Sequence, residues 1–113
     1  MADVVKVAED IVPSGLAATY FSPTTTDQFL VDNDGKIYLH FKKSGAGACN
    51  VTIVTPGSVD GLAIADRVVS VPATTGDRFI GPFPRDVYNN GVGQLAFTCS
   101  EITGLTCAVL RAK

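Results

Sequence analysis

Residues 55–90 read TPGSVDGLAIADRVVSVPATTGDRFIGPFPRDVYNN. Two runs of strand-forming residues in it, Arg67–Val71 and Arg78–Gly81, each stop at a proline, Pro72 and Pro82. Proline lacks the amide donor that a strand ladder needs, so each run ends there. Pro, Gly and Asp recur too often around them for a long helix. Leu62–Ala65 reads either as a short strand or as a loop packed on the core, Phe83-Pro84 as a rigid corner, and Arg85–Tyr88 as a single helical turn. Nothing in the stretch has the form of a catalytic constellation.

On either side the pattern is cleaner. Ile37, Leu39 and Phe41 alternate with Tyr38, His40 and Lys42, and Cys49, Val51 and Ile53 alternate with Asn50 and Thr52. Leu95, Phe97 and Cys99, then Leu105, Cys107 and Val109, repeat the same period of two. That period sends one set of side chains to a core and the other to solvent, as a half-buried strand requires. Asp32-Asn33-Asp34-Gly35 is a turn signal, because Asn, Asp and Gly tolerate positive φ. With a further strand over Gln28–Val31, the chain holds about seven or eight short strands at close spacing. The reading is all-β: a single antiparallel β-sandwich, jelly-roll or immunoglobulin-like. Its expected core is Ile37, Leu39, Phe41, Val51, Ile53, Val69, Val71, Leu95, Phe97 and Val109.

Residues 1–27 depart from this pattern. Val4, Val5 and Val7 suit a short strand, but Pro13, Ser14, Gly15, Ser22, Pro23 and three successive threonines break any continuation of it. The segment reads as an extended arm or as an edge strand of the same sandwich, anchored by Val4, Val5, Leu16, Tyr20 and Phe21, with residues 28–113 forming the domain proper. An arm of this composition is expected to order against a neighbouring subunit.

The 113 residues suffice for one domain with its own core. Nine basic and eleven acidic residues are interspersed, giving a net charge of −2. Without a basic stripe there is no electrostatic footprint for nucleic acid. No apolar run approaches the roughly 18 residues a membrane span needs. Asp3, Lys6, Glu9 and Asp10 also interrupt any leader-like run, so synthesis without Sec export is expected.

Candidate chemistry is sparse. His40 is the only histidine and stands on the outward face of its strand, with no G-x-S-x-G elbow anywhere in the chain. Zinc has no closed ligand set in one His and three core-facing Cys. Placing Gly35 at the glycine of a calcium loop puts Leu30 and Phe41 at its first and last ligand positions, and neither supplies a carboxylate. Gly45-Ala46-Gly47 leads into a strand instead of a helix, so it offers no phosphate cradle. Asp60, Asp66, Asp77 and Asp86 are scattered over turns, and the Asn50-Val51-Thr52 sequon lacks a secretory context. No catalytic, metal or cofactor residue is therefore expected. Cys49, Cys99 and Cys107 read as buried free thiols, with a Cys99–Cys107 bridge between neighbouring strands as the alternative.

In order, the chain carries FKKSG (41–45), VTIVTP (51–56), VDGLAIADR (59–67), VSVP (69–72), IGPFP (80–84) and VYNNG (87–91). From about Gly35 to Arg111 it resembles a family of small virion structural proteins of tailed bacteriophages. The resemblance implies a capsid decoration (cement) protein on the outside of the head, made in the host cytoplasm. The implied partner is the major capsid protein, with self-association into a homo-oligomer also open. A head–tail joining or tail protein, or a small carbohydrate-binding β-module, is the alternative. Phe83 and Tyr88 read either as interface anchors, since aromatics give large contact area at low entropic cost, or as plugs for the end of the sandwich.

Overall fold

A computed structural model describes residues 2–56, 58–63 and 65–112. Its strands are β1 (Ala2–Lys6), β2 (Glu9–Ile11), β3 (Asp27–Asp32), β4 (Ile37–Lys43), β5 (Cys49–Ile53), β6 (Ser58–Val59), β7 (Leu62–Ala63), β8 (Arg67–Val71), β9 (Gly76–Ile80), β10 (Gln94–Cys99) and β11 (Leu105–Ala112). One helical turn, α1 (Arg85–Tyr88), lies between β9 and β10. Five strands form one sheet in the order β1-β3-β10-β5-β8, four form a second in the order β2-β11-β4-β9, and β6 and β7 make a separate hairpin.

The period-two alternation sets what faces inward. Phe29, Val51, Ile53, Leu95 and Phe97 from the first sheet share one core with Ile37, Leu39, Phe41, Leu105 and Val109 from the second. Phe97 links the layers. It stacks on Phe29 at 5.4 Å and meets Phe41 edge-on, with centroids 5.9 Å apart and an interplanar angle of 89°. All the expected core residues are buried except Val69, which is half-buried because β8 is an edge strand. The β-sandwich is thus what the alternation implies.

The topology corrects the expectation of a purely antiparallel sandwich. β1 pairs parallel with β3, from Ala2↔Asp27 to Lys6↔Val31. β2 then pairs parallel with β11 through Leu110↔Glu9, Arg111↔Asp10 and Ala112↔Ile11. The N-terminal segment is therefore an edge strand divided between the two sheets and not a free arm. Parallel pairing needs a long crossover. Residues 12–26, with their Pro, Ser and Thr, supply it between β2 and β3. At its end Phe21 bridges to Cys107 through two backbone hydrogen bonds of 2.8 and 2.9 Å. Phe21 packs on Phe29 at 5.4 Å, with the Lys6 ammonium 4.1 Å above its ring. That side of the sandwich is closed.

Of the proposed arm anchors, Val4 and Phe21 pack against the core, while Val5 and Leu16 are exposed. Cys49, Cys99 and Cys107 are all buried and free. β10 and β11 belong to different sheets, so Cys99 and Cys107 are not strand neighbours; Cys99 lies beside Cys49 instead. The hydrogen bond to Cys49 and burial both push the Cys99 thiol up, and burial does the same for Cys107.

The Asp32–Gly35 turn spends its side chains on protein partners. Asp32 accepts from Gln94 Nε2 at 3.2 Å, and Asp34 holds the Arg111 guanidinium, with Nε at 2.6 Å. Arg111 also reaches Asp10 at 3.3 Å, pinning β2 to the turn. The Arg111 hydrogen bond lowers the Asp34 pKa, and the Thr103 backbone N–H lowers that of Glu101. A carboxyl whose folded pKa is depressed contributes stability above its unfolded value and loses it as pH falls through the folded one. The melting temperature should therefore drop on acidification below about pH 4. Both groups lie at the surface, so the drop should be modest, and Arg111→Gln should flatten it. A melting temperature independent of pH in that range would contradict this assignment.

Candidate functional site

The opposite side of the sandwich is open. β8 and β9 edge the two sheets there, joined by a turn at residues 72–75. Away from that turn they leave a groove of about 530 Å³, walled by Arg67 and Val69 of β8, Phe79 and Ile80 of β9, and Pro82, Pro84 and Val87 beyond. Arg67 and Arg78 take inward-facing positions on these edge strands yet stay exposed. An inward charge on an edge strand opposes indiscriminate strand addition. Leu62, Val68 and Phe79 are exposed by 72%, 58% and 64%. Of these, Phe79 brings exposed apolar surface to the groove beside a guarded edge.

Local chemistry explains why the chain crosses here. Gly81 has φ +130°, and a Cβ on it would lie 2.8 Å from the Ile37 carbonyl oxygen, so only glycine turns the chain at this point. Buried Asn33 then secures the segment. Its Nδ2 donates to the Phe83 carbonyl at 3.0 Å and to Asn89 Oδ1 at 2.7 Å, while Asn89 Nδ2 donates back to the Asn33 carbonyl at 3.0 Å. Phe83 and Tyr88 are consequently drawn inside, 2% and 8% exposed, with their rings edge-to-face at 5.1 Å. They floor the groove and plug the end of the sandwich, so of the two readings of these aromatics the structure supports the plug and not the exposed anchor. The Arg67 Nε donates to the Tyr88 hydroxyl at 2.9 Å, tying the start of β8 to α1. The 55–66 loop is closed by Thr55, whose backbone N–H donates to Asp66 Oδ1 at 3.1 Å and whose hydroxyl donates to the Ala65 carbonyl at 3.0 Å. Gly57 and Ile64 of that loop lie outside the described residues.

A second feature occupies the outer face of the four-stranded sheet. His40 points outward as its alternation implies, but it is only 6% exposed. Its Nδ1 lies 2.6 Å from the Tyr20 hydroxyl and its Nε2 2.6 Å from Asp77 Oδ1. The Phe79 ring stacks on it at 4.0 Å and 5°. Both ring nitrogens are committed and one ring face is covered, so His40 orients its neighbours and has no nitrogen left for a substrate. Sequence alternation alone does not find Tyr20, Asp77 or Phe79. Their meeting depends on the register Lys42↔Asp77 and His40↔Phe79 and on the bridge that delivers Tyr20.

Among the described residues, no three His, Cys, Asp or Glu side chains are grouped to hold a metal ion, and no helix is long and apolar enough to cross a membrane. Comparison with protein families, with curated proteins and with solved structures gives no match to this chain.

Proposed function

We propose that the chain is a structural protein of a tailed-bacteriophage virion, a capsid decoration protein that docks on the major capsid protein lattice through its open β8–β9 side. One observation carries the reading. Two of the segments that carry the resemblance meet at one groove: IGPFP lines it, and so does Arg67, the last residue of VDGLAIADR, which binds the Tyr88 hydroxyl at 2.9 Å. A rigid groove lined by exposed Arg67 and Phe79, on a molecule that also exposes Leu62 and Val68, suits attachment to a repeating lattice. Bridging several lattice subunits multiplies a modest individual affinity, because each later contact becomes intramolecular. Arg67 is the expected polar anchor, since arginine is enriched among residues that dominate interfaces.

The test is binding of the purified protein to heads assembled without it. Wild-type protein should saturate the shell in many copies and raise the temperature at which heads rupture. Arg67→Glu should weaken binding by about tenfold or more. Val5→Ser, on the closed side, should bind and melt as wild type does, and Arg67→Glu, which also gives up the bond to Tyr88, should melt somewhat lower but still cooperatively. Absence of shell binding by the wild type, with only the few copies of a connector in particles, would replace decoration by a head–tail joining role.

A further inference from the structure

We propose that the outer face of the four-stranded sheet carries a shallow binding platform for a neutral pyranose sugar, centred on Phe79 and flanked by Tyr38, Asp77 and Lys42. Four rings run in series across this face. Tyr20 lies 5.6 Å from His40, His40 4.0 Å from Phe79, and Phe79 6.0 Å from Tyr38. Every other phenylalanine is buried or packed against the core, so Phe79, 64% exposed, is the exception. A single exposed apolar residue needs no explanation in itself. Its mounting does. His40 backs one side of the ring, and His40 is clamped at both nitrogens by Tyr20 and Asp77. A ring held this way loses little freedom on binding, which is the advantage of a preorganised site.

The polar surroundings select the ligand. Asp77 commits Oδ1 to His40, and its side chain is 57% exposed. Lys42 stands directly opposite Asp77 in the strand register, exposed, with its ammonium 5.3 Å from the Tyr20 ring. An acceptor-only carboxylate and a donor-only ammonium beside an aromatic face complement a pyranose, whose C–H face is apolar and whose rim carries hydroxyls that both donate and accept. The Asp77 carboxylate disfavours phosphate, sulfate and acidic sugars. On the sheet face itself the exposed charges of Lys42 and Asp77 interrupt the apolar surface, so this face lacks the continuous apolar core of a protein interface. This platform does not depend on the shell-docking reading. Phe79 stands at the border of the groove and the platform, so the variants that separate the two are Arg67 for the groove and Tyr38 for the platform.

The test is a titration of the ¹⁵N-labelled full chain with four probes: the methyl glycosides of β-glucose, β-galactose, α-mannose and β-N-acetylglucosamine. At least one should shift the amide signals of Tyr38, Lys42, Asp77 and Phe79 saturably, with a Kd in the millimolar range. Phe79→Ala should abolish the shifts. Tyr38→Ala, which removes a ring without touching the His40 clamp, should weaken binding several-fold at unchanged melting temperature. Val68→Ala, on the other sheet, should leave binding unchanged. No saturable shifts at these residues with any of the four sugars, or shifts confined to the groove around Pro82–Val87, would overturn the proposal. Shell binding by the Tyr38→Ala variant should match wild type, so loss of one function does not imply loss of the other.

Discussion

Deleting residues 2–20 should abolish the cooperative thermal transition, not leave a folded core. The deletion removes β1 along its whole pairing with β3 and β2 along its pairing with β11. It also takes away Val4, which packs against the core, and the Tyr20 hydroxyl that binds His40. Phe29 and Val31 of β3, and Cys107, Val109 and Leu110 of β11, are buried at no more than 6% exposure. Their strands would become unpaired edges, which are templates for aggregation. A domain of this size has only about 5–15 kcal/mol of stability in total, and losing two edge strands with their closing contacts should consume most of it. Thermal melts followed by circular dichroism, with light scattering to detect aggregates, read the outcome. A truncated chain that melts cooperatively within a few degrees of the full protein would mean that these strands are accessory.

The largest single-residue loss is expected at Phe97. Its side chain is fully buried, stacked on Phe29 and edge-on to Phe41, so it contacts both layers at once. Phe97→Ala should cost about 3–5 kcal/mol, the sum of lost transfer energy and a cavity that neither sheet can collapse to fill. Phe97→Leu should recover much of that, since it keeps most of the apolar volume. Chemical denaturation gives the comparison: the midpoint should fall sharply with an unchanged slope. A midpoint for Phe97→Ala close to wild type would mean that Phe97 is not the central contact between the sheets.

The parts of the fold that were legible in the sequence are those fixed by local alternation. Ile37, Leu39 and Phe41, or Leu95, Phe97 and Cys99, declare their inward face within one strand, because the pleat alternates whatever lies next to it. Pro72 likewise ends β8, where the missing donor stops the ladder. The features that were not legible depend on distant partners. Nothing near Val4 announces that it pairs parallel with Phe29, since that register is set by a crossover that reads only as Pro, Ser and Thr. Phe83 turns inward because Asn33, from a turn far earlier in the chain, binds its carbonyl. In the sequence Asn33 reads only as part of the Asp32–Gly35 turn signal, with nothing to mark its distant partner. The aromatic run through Tyr20, His40, Phe79 and Tyr38 required two separate pairings to assemble. Each of its members looked ordinary alone. For Phe83 and Tyr88 the sequence left open an interface anchor or a plug, and their burial decides for the plug, while Arg67 and Phe79 are the residues of the candidate groove at the surface.

The central claim is that this sandwich attaches to a capsid lattice by its open side. A reconstruction of the virion that contains it, at a resolution that traces strands, tests this most directly. A copy is expected at each equivalent position of the head exterior, with Arg67, Leu62 and Val68 within contact distance of the major capsid protein and Val5 facing away from it. Density for the chain only at the head–tail vertex, or a shell contact made through the β1–β2 side with the β8–β9 groove empty and outward, would contradict it.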